Sequence, residues 1–168
     1  MTRGVHLMDY VLAYRSKGFI PIPIYGVRHE VCTCHLGGEC TSAGKHPIPK
    51  RPAAVEATDD QWESWISKYP DMNLGILTGS ESGIFVLDVD PRHGGDESFD
   101  KLVQSVGALP PTLIAQTGGG GRHYVFKIPS GMEVRNSVGT LGDGLDIRGE
   151  GGLIVVEPSV TKGEYKWL

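Results

Sequence analysis

Two aspartates, Asp88 and Asp90, close a run of apolar residues and are the first residues of the sequence that point to chemistry. The run from Ser82 to Asp90 reads SGIFVLDVD, and its branched and aromatic residues predict a β-strand. Because side chains alternate along a strand, both carboxylates face the same way, about 7 Å apart. They repel each other unless a cation lies between them, and carboxylate oxygens suit Mg²⁺ or Mn²⁺. The alternative is that the pair only ends the strand in a solvated turn, since so short a motif often occurs by chance.

Two later segments predict strands with polar side chains on one face and apolar side chains on the other. Segment 122–128 follows a run of glycines and presents His123, while LDIR presents Asp146 and Arg148 together. Three carboxylates on one sheet face can hold two cations in line for phosphoryl transfer. His123 and Arg148 can bind the charged oxygens of a triphosphate. The alternatives are that His123 only caps the glycine turn and that Arg148 only pairs with Asp146 or Glu150.

All three cysteines lie in one loop, residues 30–47, which also contains two histidines. A clustered, odd number of cysteines indicates a metal site rather than a disulfide framework. Thiolate and imidazole groups suit zinc, and a closed structural zinc site needs four of them. The predicted zinc ligands are Cys32, Cys34, Cys40 and His46. His35 is the alternative to His46, and the alternative to a zinc site is three free thiols in a surface loop.

Length and composition indicate one globular domain, since the chain has 168 residues, of which 39% are hydrophobic and 21% charged. No apolar run reaches membrane-spanning length and the N-terminus lacks a signal-peptide core, so we expect a soluble, cytoplasmic protein without a membrane partner. The net charge of −4 argues against a surface coated with positive charge for nucleic acid, but a basic patch can be local. Lys45, Lys50 and Arg51 form such a group and can contact phosphate, although most surface basic side chains are only solvated.

The hydrophobic pattern predicts the elements that must position these residues. Helices are expected at 6–17, at 59–69 after a cap at Thr58 or Asp59, and at 95–106. Further strands are expected at 19–25, 73–77, 112–116 and 153–156. Two prolines in strand 19–25 place it at a sheet edge or in an extended segment. The polar residues would then lie on a sheet that is covered by helices on one face and open on the other.

With these motifs the sequence resembles the archaeo-eukaryotic primase superfamily, in particular the bifunctional primase–polymerase domains of plasmids, phages and integrated elements. The resemblance covers nearly the whole chain. It is carried by GKHP at 44–47, NLGILTG at 73–79, the aspartate pair, the glycine-rich segment before His123, and LDIRGEGG at 145–152. The sequence departs from the superfamily at Gly121, where the S-x-H motif has a serine.

The resemblance implies an α+β fold with a catalytic sheet like that of the RNA-recognition fold, open on one face, beside a smaller N-terminal α/β unit that carries a zinc-binding loop. It implies one catalytic domain over residues 1–168, which is compatible with the N-terminal part of a longer replication protein. Asp88, Asp90 and Asp146 would bind two catalytic Mg²⁺ or Mn²⁺ ions. His123 would contact the incoming nucleotide, and Arg122 and Arg148 are the other expected nucleotide-binding residues.

The function implied is a DNA primase–polymerase that joins nucleoside triphosphates on a DNA template, in the cytoplasm of the host cell if a phage or plasmid encodes it. In this superfamily a helicase is a common partner or adjoining domain. The alternatives are a non-catalytic DNA-binding module for replication initiation and a metal-dependent nuclease. All three aspartates occur together with His123 and Arg148, which favours an enzyme over the binding module. A nuclease would use the same carboxylates but needs no triphosphate pocket.

Overall fold

The structure is a computed structural model that describes residues 3–168. Its α-helices are α1 (Arg3–Ser16), α2 (Arg51–Val55), α3 (Asp59–Lys68) and α4 (Gly95–Val106). Its longer strands are β1 (Pro21–Ile24), β4 (Asn73–Leu77), β5 (Ile84–Val89), β6 (Leu113–Gln116), β7 (Arg122–Lys127), β9 (Leu145–Arg148) and β10 (Leu153–Val156). Four strands have two residues each: β2 (Val27–Arg28), β3 (Val31–Cys32), β8 (Ser137–Val138) and β11 (Lys166–Trp167). Within the described range, no helix has the length and apolar character needed to cross a membrane.

A six-stranded antiparallel sheet carries the residues that point to chemistry. Its strand order is β11-β6-β7-β5-β9-β8, so that β5 lies between β7 and β9. Helix α4 covers one face, where Phe99 and Leu102 pack against a cluster of buried side chains. That cluster consists of Leu87, Val89, Tyr124 and Leu145. The apolar spacing in α4 and the alternation in β5 therefore meet in one core layer.

The opposite face of this sheet is also covered over much of its length, which corrects the expectation of an open face. Ile84, Val86 and Val125 are buried there, in a core cluster that includes residues of α1, α3 and β4. The reason lies in the strand pattern, because Ile84 and Val86 share a face with Asp88 and their apolar side chains must leave water. The face opens into cavities at the end that carries Asp88.

A three-stranded antiparallel sheet in the order β1-β4-β10 lies against this covered face. The edge position predicted for the proline-containing strand is confirmed, because β1 is an outer strand of this sheet. Leu74 and Ile76 of β4 belong to the large core cluster, together with Val86 of the other sheet. The smaller unit is therefore not built from the N-terminal part alone, since β10 comes from near the C-terminal end.

The predicted helices and strands are confirmed with small shifts of their ends, and the helix 95–106 and strands 73–77 and 153–156 match without any shift. Thr58 caps α3 by accepting a hydrogen bond from the backbone N–H of Gln61 at 3.3 Å. Helix α2 and the two-residue strands were not predicted, because such short elements show no hydrophobic period. The likeness to the RNA-recognition fold stays a prediction, since segment 128–144, between β7 and β9, contains turns and β8 but no helix.

Candidate active site

The strand register brings three of the predicted site residues into one row. Asp88 of β5 lies opposite His123 of β7 on one side and opposite Asp146 of β9 on the other. Residues directly opposite each other in an antiparallel sheet share a face and have Cβ atoms about 4.5–5.5 Å apart. The row therefore places two carboxylates side by side, with an imidazole next to them.

Arg148 bridges the two carboxylates of this row. It lies two residues after Asp146 on β9 and so projects from the same face. Its Nη2 donates to Asp146 Oδ2 at 2.9 Å and lies 3.7 Å from Asp88 Oδ2. Pairing with Asp146 is what the alternative for Arg148 predicted, but the same guanidinium also reaches Asp88. It offsets the repulsion between the two carboxylates.

Asp90 has a separate set of partners. It follows the last residue of β5 and accepts hydrogen bonds from the backbone N–H, Nε and Nη2 of Arg92 at 3.0, 3.0 and 2.7 Å. Its Oδ2 also lies 3.0 Å from His93 Nδ1. The hydrogen bonds from Arg92 hold the pKa of Asp90 well below its usual range, against the opposing effect of burial. In the part of the chain that the structure describes, the aspartates do not form a group of three that is close enough to hold a metal ion.

His123 is buried, although the sequence predicted it on an open face of the sheet. Only 7% of its side chain is exposed, and its Nε2 lies 3.5 Å from Asp88 Oδ1. Burial lowers the pKa of His123 in spite of the opposing charge of Asp88, and the positive charges of Arg148 and Lys45 lower it further. Its Nδ1 has no hydrogen-bond partner among the described residues. Since buried polar atoms are nearly always paired, this nitrogen is one that a bound ligand could satisfy.

Arg122 lies on the other face of the sheet, contrary to its expected role in nucleotide binding. It stands opposite Val89 in the register and its guanidinium donates to Asp96 Oδ1 at 2.8 Å. The same guanidinium lies 5.8 Å from the centre of the Phe99 ring of α4. Because neighbouring residues on a strand face opposite ways, Arg122 cannot share the face of His123.

The glycine run before β7 packs closely against the backbone of neighbouring segments. A Cβ at Gly121 would lie 2.3 Å from the carbonyl oxygen of Val89, and one at Gly118 would lie 2.5 Å from that of Gly163. Thr117 Oγ1 accepts the backbone N–H of Gly121 at 3.0 Å and holds the turn. This packing explains the departure from S-x-H, because the position two before the histidine has no room for a serine side chain here.

Two adjoining cavities open onto the row. The carboxylate cavity has a volume of about 530 Å³ and is lined by Asp88, Asp90, Asp146 and Arg148, among others. The histidine cavity has a volume of about 490 Å³ and is lined by Asp88, His123, Arg148, Asn136 and Tyr165, among others. Asp88 and Arg148 border both cavities. A ligand that spans the two would therefore contact carboxylates at one end and the imidazole at the other.

The predicted zinc ligands form a second site, the cysteine cluster. Its members are Cys32, Cys34, Cys40 and His46, whose ligand atoms all lie within 4.8 Å of one another. His46 Nε2 lies 3.5 Å from Cys32 Sγ and 3.4 Å from Cys40 Sγ. Three thiols and one imidazole at such distances could bind zinc. His35 is not a member of the cluster, so the structure selects His46 as the fourth residue.

The surroundings of the cysteine cluster shift the pKa values of its members in different directions. Although burial opposes the shift, hydrogen bonds from the backbone of Leu36 and from the neighbouring thiols lower the pKa of Cys34. Burial lowers the pKa of His46, and the charge of His35 acts in the same direction. Metal ions bind the thiolate and the neutral imidazole, so the shifts at Cys34 and His46 favour metal binding. Although a hydrogen bond from the backbone of Ser42 opposes the shift, burial and the neighbouring thiols raise the pKa of Cys40, which favours its thiol form.

Two residues of the histidine cavity carried no signal in the sequence. Tyr165 is buried, and its ring centre lies 6.4 Å from that of His123. Asn136 accepts the backbone N–H of Gly149 at 2.7 Å and donates to the carbonyl of Glu150 at 3.2 Å, which shapes the turn beside the cavity. Neither residue belongs to a motif, and only the folded chain brings them to the row.

Residues 11–168 match the protein family described as bifunctional DNA primase/polymerase, N-terminal (Prim-Pol). No match was found among curated proteins. The matched range includes the whole row, Arg148 and the cysteine cluster, and it confirms the resemblance to primase–polymerase domains that the motifs indicated. The chain therefore belongs to the bifunctional DNA primase/polymerase (Prim-Pol) family and has a function of the DNA primase/polymerase class.

Proposed function

We propose that this domain catalyses template-directed nucleotidyl transfer, in which it makes primers on DNA and extends them from nucleoside triphosphates. The observation that carries the proposal is the row of His123, Asp88 and Asp146 with Arg148 beside it, open to two adjoining cavities. Carboxylates that can hold cations then lie next to a guanidinium and an imidazole that can hold phosphates. Attack of a primer 3′-hydroxyl on an α-phosphate needs this combination.

The carboxylates of the row fit Mg²⁺ or Mn²⁺ by the chemistry of their donor atoms. The Asp88 oxygens lie 3.5 Å from His123 Nε2 and 3.7 Å from Arg148 Nη2, beyond normal hydrogen-bond length, and keep lone pairs for a further partner. Asp146 accepts one hydrogen bond on each oxygen, from Gly139 and Arg148, and each oxygen can accept a second partner. Asp90 can join them when Arg92 moves away. Two bound ions would activate the 3′-hydroxyl and neutralise the charge on the triphosphate.

Arg148 and His123 would hold the triphosphate in this proposal. Arg148 has 34% of its side chain exposed and borders both cavities, so it can turn from the carboxylates to a phosphate. His123 is fixed by burial, and its Nδ1 has no partner in the part of the chain that the structure describes. Contacts between charged groups and phosphate oxygens are short and about twice as strong as those between neutral groups.

The first experiment measures incorporation of a labelled nucleotide on a primed template with Mg²⁺ or Mn²⁺. Asp88→Ala should lower incorporation by about a hundredfold or more, because it removes a carboxylate shared by both cavities. The matched control is Asp96→Ala, which removes a carboxylate from the opposite face and should leave incorporation near normal. Circular dichroism and zinc content check that both variants fold. Near-normal synthesis by Asp88→Ala at saturating Mn²⁺ would contradict the proposal.

A second measurement separates a polymerase from a nuclease by triphosphate affinity. Arg148→Ala and His123→Ala should each weaken triphosphate binding by about ten- to a hundredfold, while template DNA affinity changes little. Arg122→Ala is the control, since that arginine lies on the face of α4. Unchanged triphosphate affinity in both variants, together with metal-dependent cleavage of DNA, would favour the nuclease.

A further inference from the structure

Lys45 lines both cavities that open onto the row and a third cavity beside them. It borders the carboxylate cavity and the histidine cavity, together with Asp88 and Arg148. It also borders a third cavity, of about 770 Å³, whose lining includes Arg92, Gly119 and Lys162. The three cavities therefore meet at one lysine, which comes from the cysteine-containing loop and not from the catalytic sheet.

The cysteine cluster holds the backbone that carries Lys45. Lys45 directly precedes His46, one member of the cluster, and follows Cys40, another member. The backbone N–H of Lys45 donates to the carbonyl of Ser42 at 3.0 Å, and the carbonyl of His46 accepts the N–H of Tyr25 at 3.0 Å. Closure of the cluster around a metal would fix both ends of this short segment, and with it the position of Lys45.

A buried asparagine anchors the residue before Lys45. Asn73 is 1% exposed and donates to the carbonyls of Gly44 at 3.2 Å and Val160 at 2.9 Å. Gly44 has a φ of 71°, and a Cβ there would lie 2.8 Å from a Val27 methyl and 2.9 Å from a Thr161 methyl. The backbone at Gly44 is therefore locked against β4 and segment 160–161, so Lys45 extends from a rigid point.

Lys45 is an exposed residue of this loop. None of the ion pairs between residues that the structure describes includes it. The other two basic residues near the end of this loop differ from it. Arg51 pairs with Glu81 and donates to the carbonyl of Gly152 at 2.8 Å, which is a structural role. Lys50 precedes α2 and is absent from the lining of all three cavities.

We propose that the cysteine-containing loop is a nucleotide-binding element whose Lys45 contacts the phosphates of the triphosphate bound beside Asp88. This proposal rests on the proposed function, because it assumes a triphosphate at the row. Lys45 adds a second cationic group, beside Arg148 and the imidazole of His123, from a loop outside the catalytic sheet. The cysteine cluster then acts on nucleotide affinity by holding Lys45 in place.

The test measures the affinity of the whole domain for a non-hydrolysable deoxynucleoside triphosphate in the presence of Mn²⁺. Lys45→Ala should weaken binding by about tenfold or more, which is the loss of one charge-assisted contact. Lys50→Ala is the matched control and should bind within about twofold of the unmodified protein. Metal analysis should show unchanged zinc in both variants, so that a loss of affinity reports the lysine and not the cluster.

Removal and return of zinc tests the link between the cluster and Lys45. Zinc removal should weaken triphosphate binding by the unmodified protein, and return of zinc should restore it. In Lys45→Ala, whose affinity is already reduced, zinc removal should weaken triphosphate binding little further. Fully additive losses would overturn the positioning role. If the unmodified protein binds the triphosphate and Lys45→Ala binds it with an affinity within about twofold, the lysine contact is wrong but the proposed function stands. A Lys45→Ala defect that is confined to template DNA binding would have the same meaning. Absence of triphosphate binding by the unmodified protein would overturn the proposed function as well.

Discussion

Each carboxylate of the site already has a cationic partner from the protein. Asp88 lies between His123 and Arg148, and Asp90 is held by Arg92. The sequence predicts repulsion between Asp88 and Asp90, but the structure offsets it with side chains from neighbouring positions. A divalent cation must therefore compete with arginine for the carboxylates. Because a triphosphate can accept the displaced arginine, we expect the cation and the nucleotide to bind more tightly together than either does alone.

The buried imidazole of His123 predicts a pH dependence of stability. Burial lowers its pKa in the folded protein, whereas in the unfolded chain the pKa is about 6.5. As the pH falls, the unfolded chain therefore takes up a proton on this histidine before the folded protein does. The stabilisation from the buried neutral ring is complete above the pKa of the unfolded chain and is lost progressively as the pH falls below it. His123→Gln should therefore lose less stability between pH 7.5 and about 5.5 than the unmodified protein does.

The measurement is the free energy of unfolding in urea at both pH values, with zinc present. The groups that face the ring are the carboxylate of Asp88, the guanidinium of Arg148, the ammonium of Lys45 and the phenol of Tyr165, and all four remain in the variant. The quantity compared is the loss of unfolding free energy between the two pH values in each protein. Any effect of the substitution that does not depend on pH cancels in this comparison. Equal losses in both proteins would show that His123 does not titrate between the folded and unfolded states in this range.

At the scale of elements, the cysteine-containing loop includes a hairpin that the sequence pattern does not predict. Strands β2 and β3 pair with each other and are connected by a turn at His29 and Glu30, whose φ values are 49° and 64°. Two central residues with positive φ suit a tight hairpin, but such turns usually contain asparagine or glycine. The zinc ligands could be predicted from residue type alone. The hairpin that positions Cys32 could not be predicted from the sequence, because its turn lacks the usual residues.

The cysteine cluster should hold one zinc ion per chain. Metal analysis of the purified protein should give about one equivalent, and the double variant Cys34→Ser and Cys40→Ser should give almost none, because two of the four ligands are lost. His35→Ala is the control and should retain zinc, since His35 lies outside the cluster. Zinc-free native protein with three freely titratable thiols would contradict the prediction, and loss of zinc from His35→Ala would contradict the ligand assignment.

For the whole molecule, local patterns predicted the elements but not their long-range pairing. The alternation in β5 and the spacing in α4 are local, and both elements lie where they were predicted. The register that sets Asp88 opposite His123 and Asp146 joins segments far apart in the chain, so no local pattern encodes it. The covered face was missed for a related reason, because β1, β4 and β10 come from three distant parts of the chain.

The two larger sheets share one core, which predicts that they unfold together. Leu74 of β4 is fully buried in a cluster that also contains Val86 of β5 and Val125 of β7. Residues of both sheets therefore depend on the same buried contacts. A domain with one core of this kind usually unfolds in a single cooperative transition, in which different probes report the same midpoint.

Leu74→Ala should lower the free energy of unfolding by about 2–5 kcal/mol, since it removes buried methyl groups and leaves a cavity. The matched control is Leu12→Ala on α1, where 46% of the leucine is exposed and alanine favours the helix, so its effect should stay within about 0.5 kcal/mol. Urea unfolding is followed by tryptophan fluorescence, which reports α3 and β11, and by zinc release, which reports the cysteine-containing loop. Both probes should shift to the same lower midpoint in Leu74→Ala. Midpoints that differ between the two probes in Leu74→Ala would contradict a single cooperative transition.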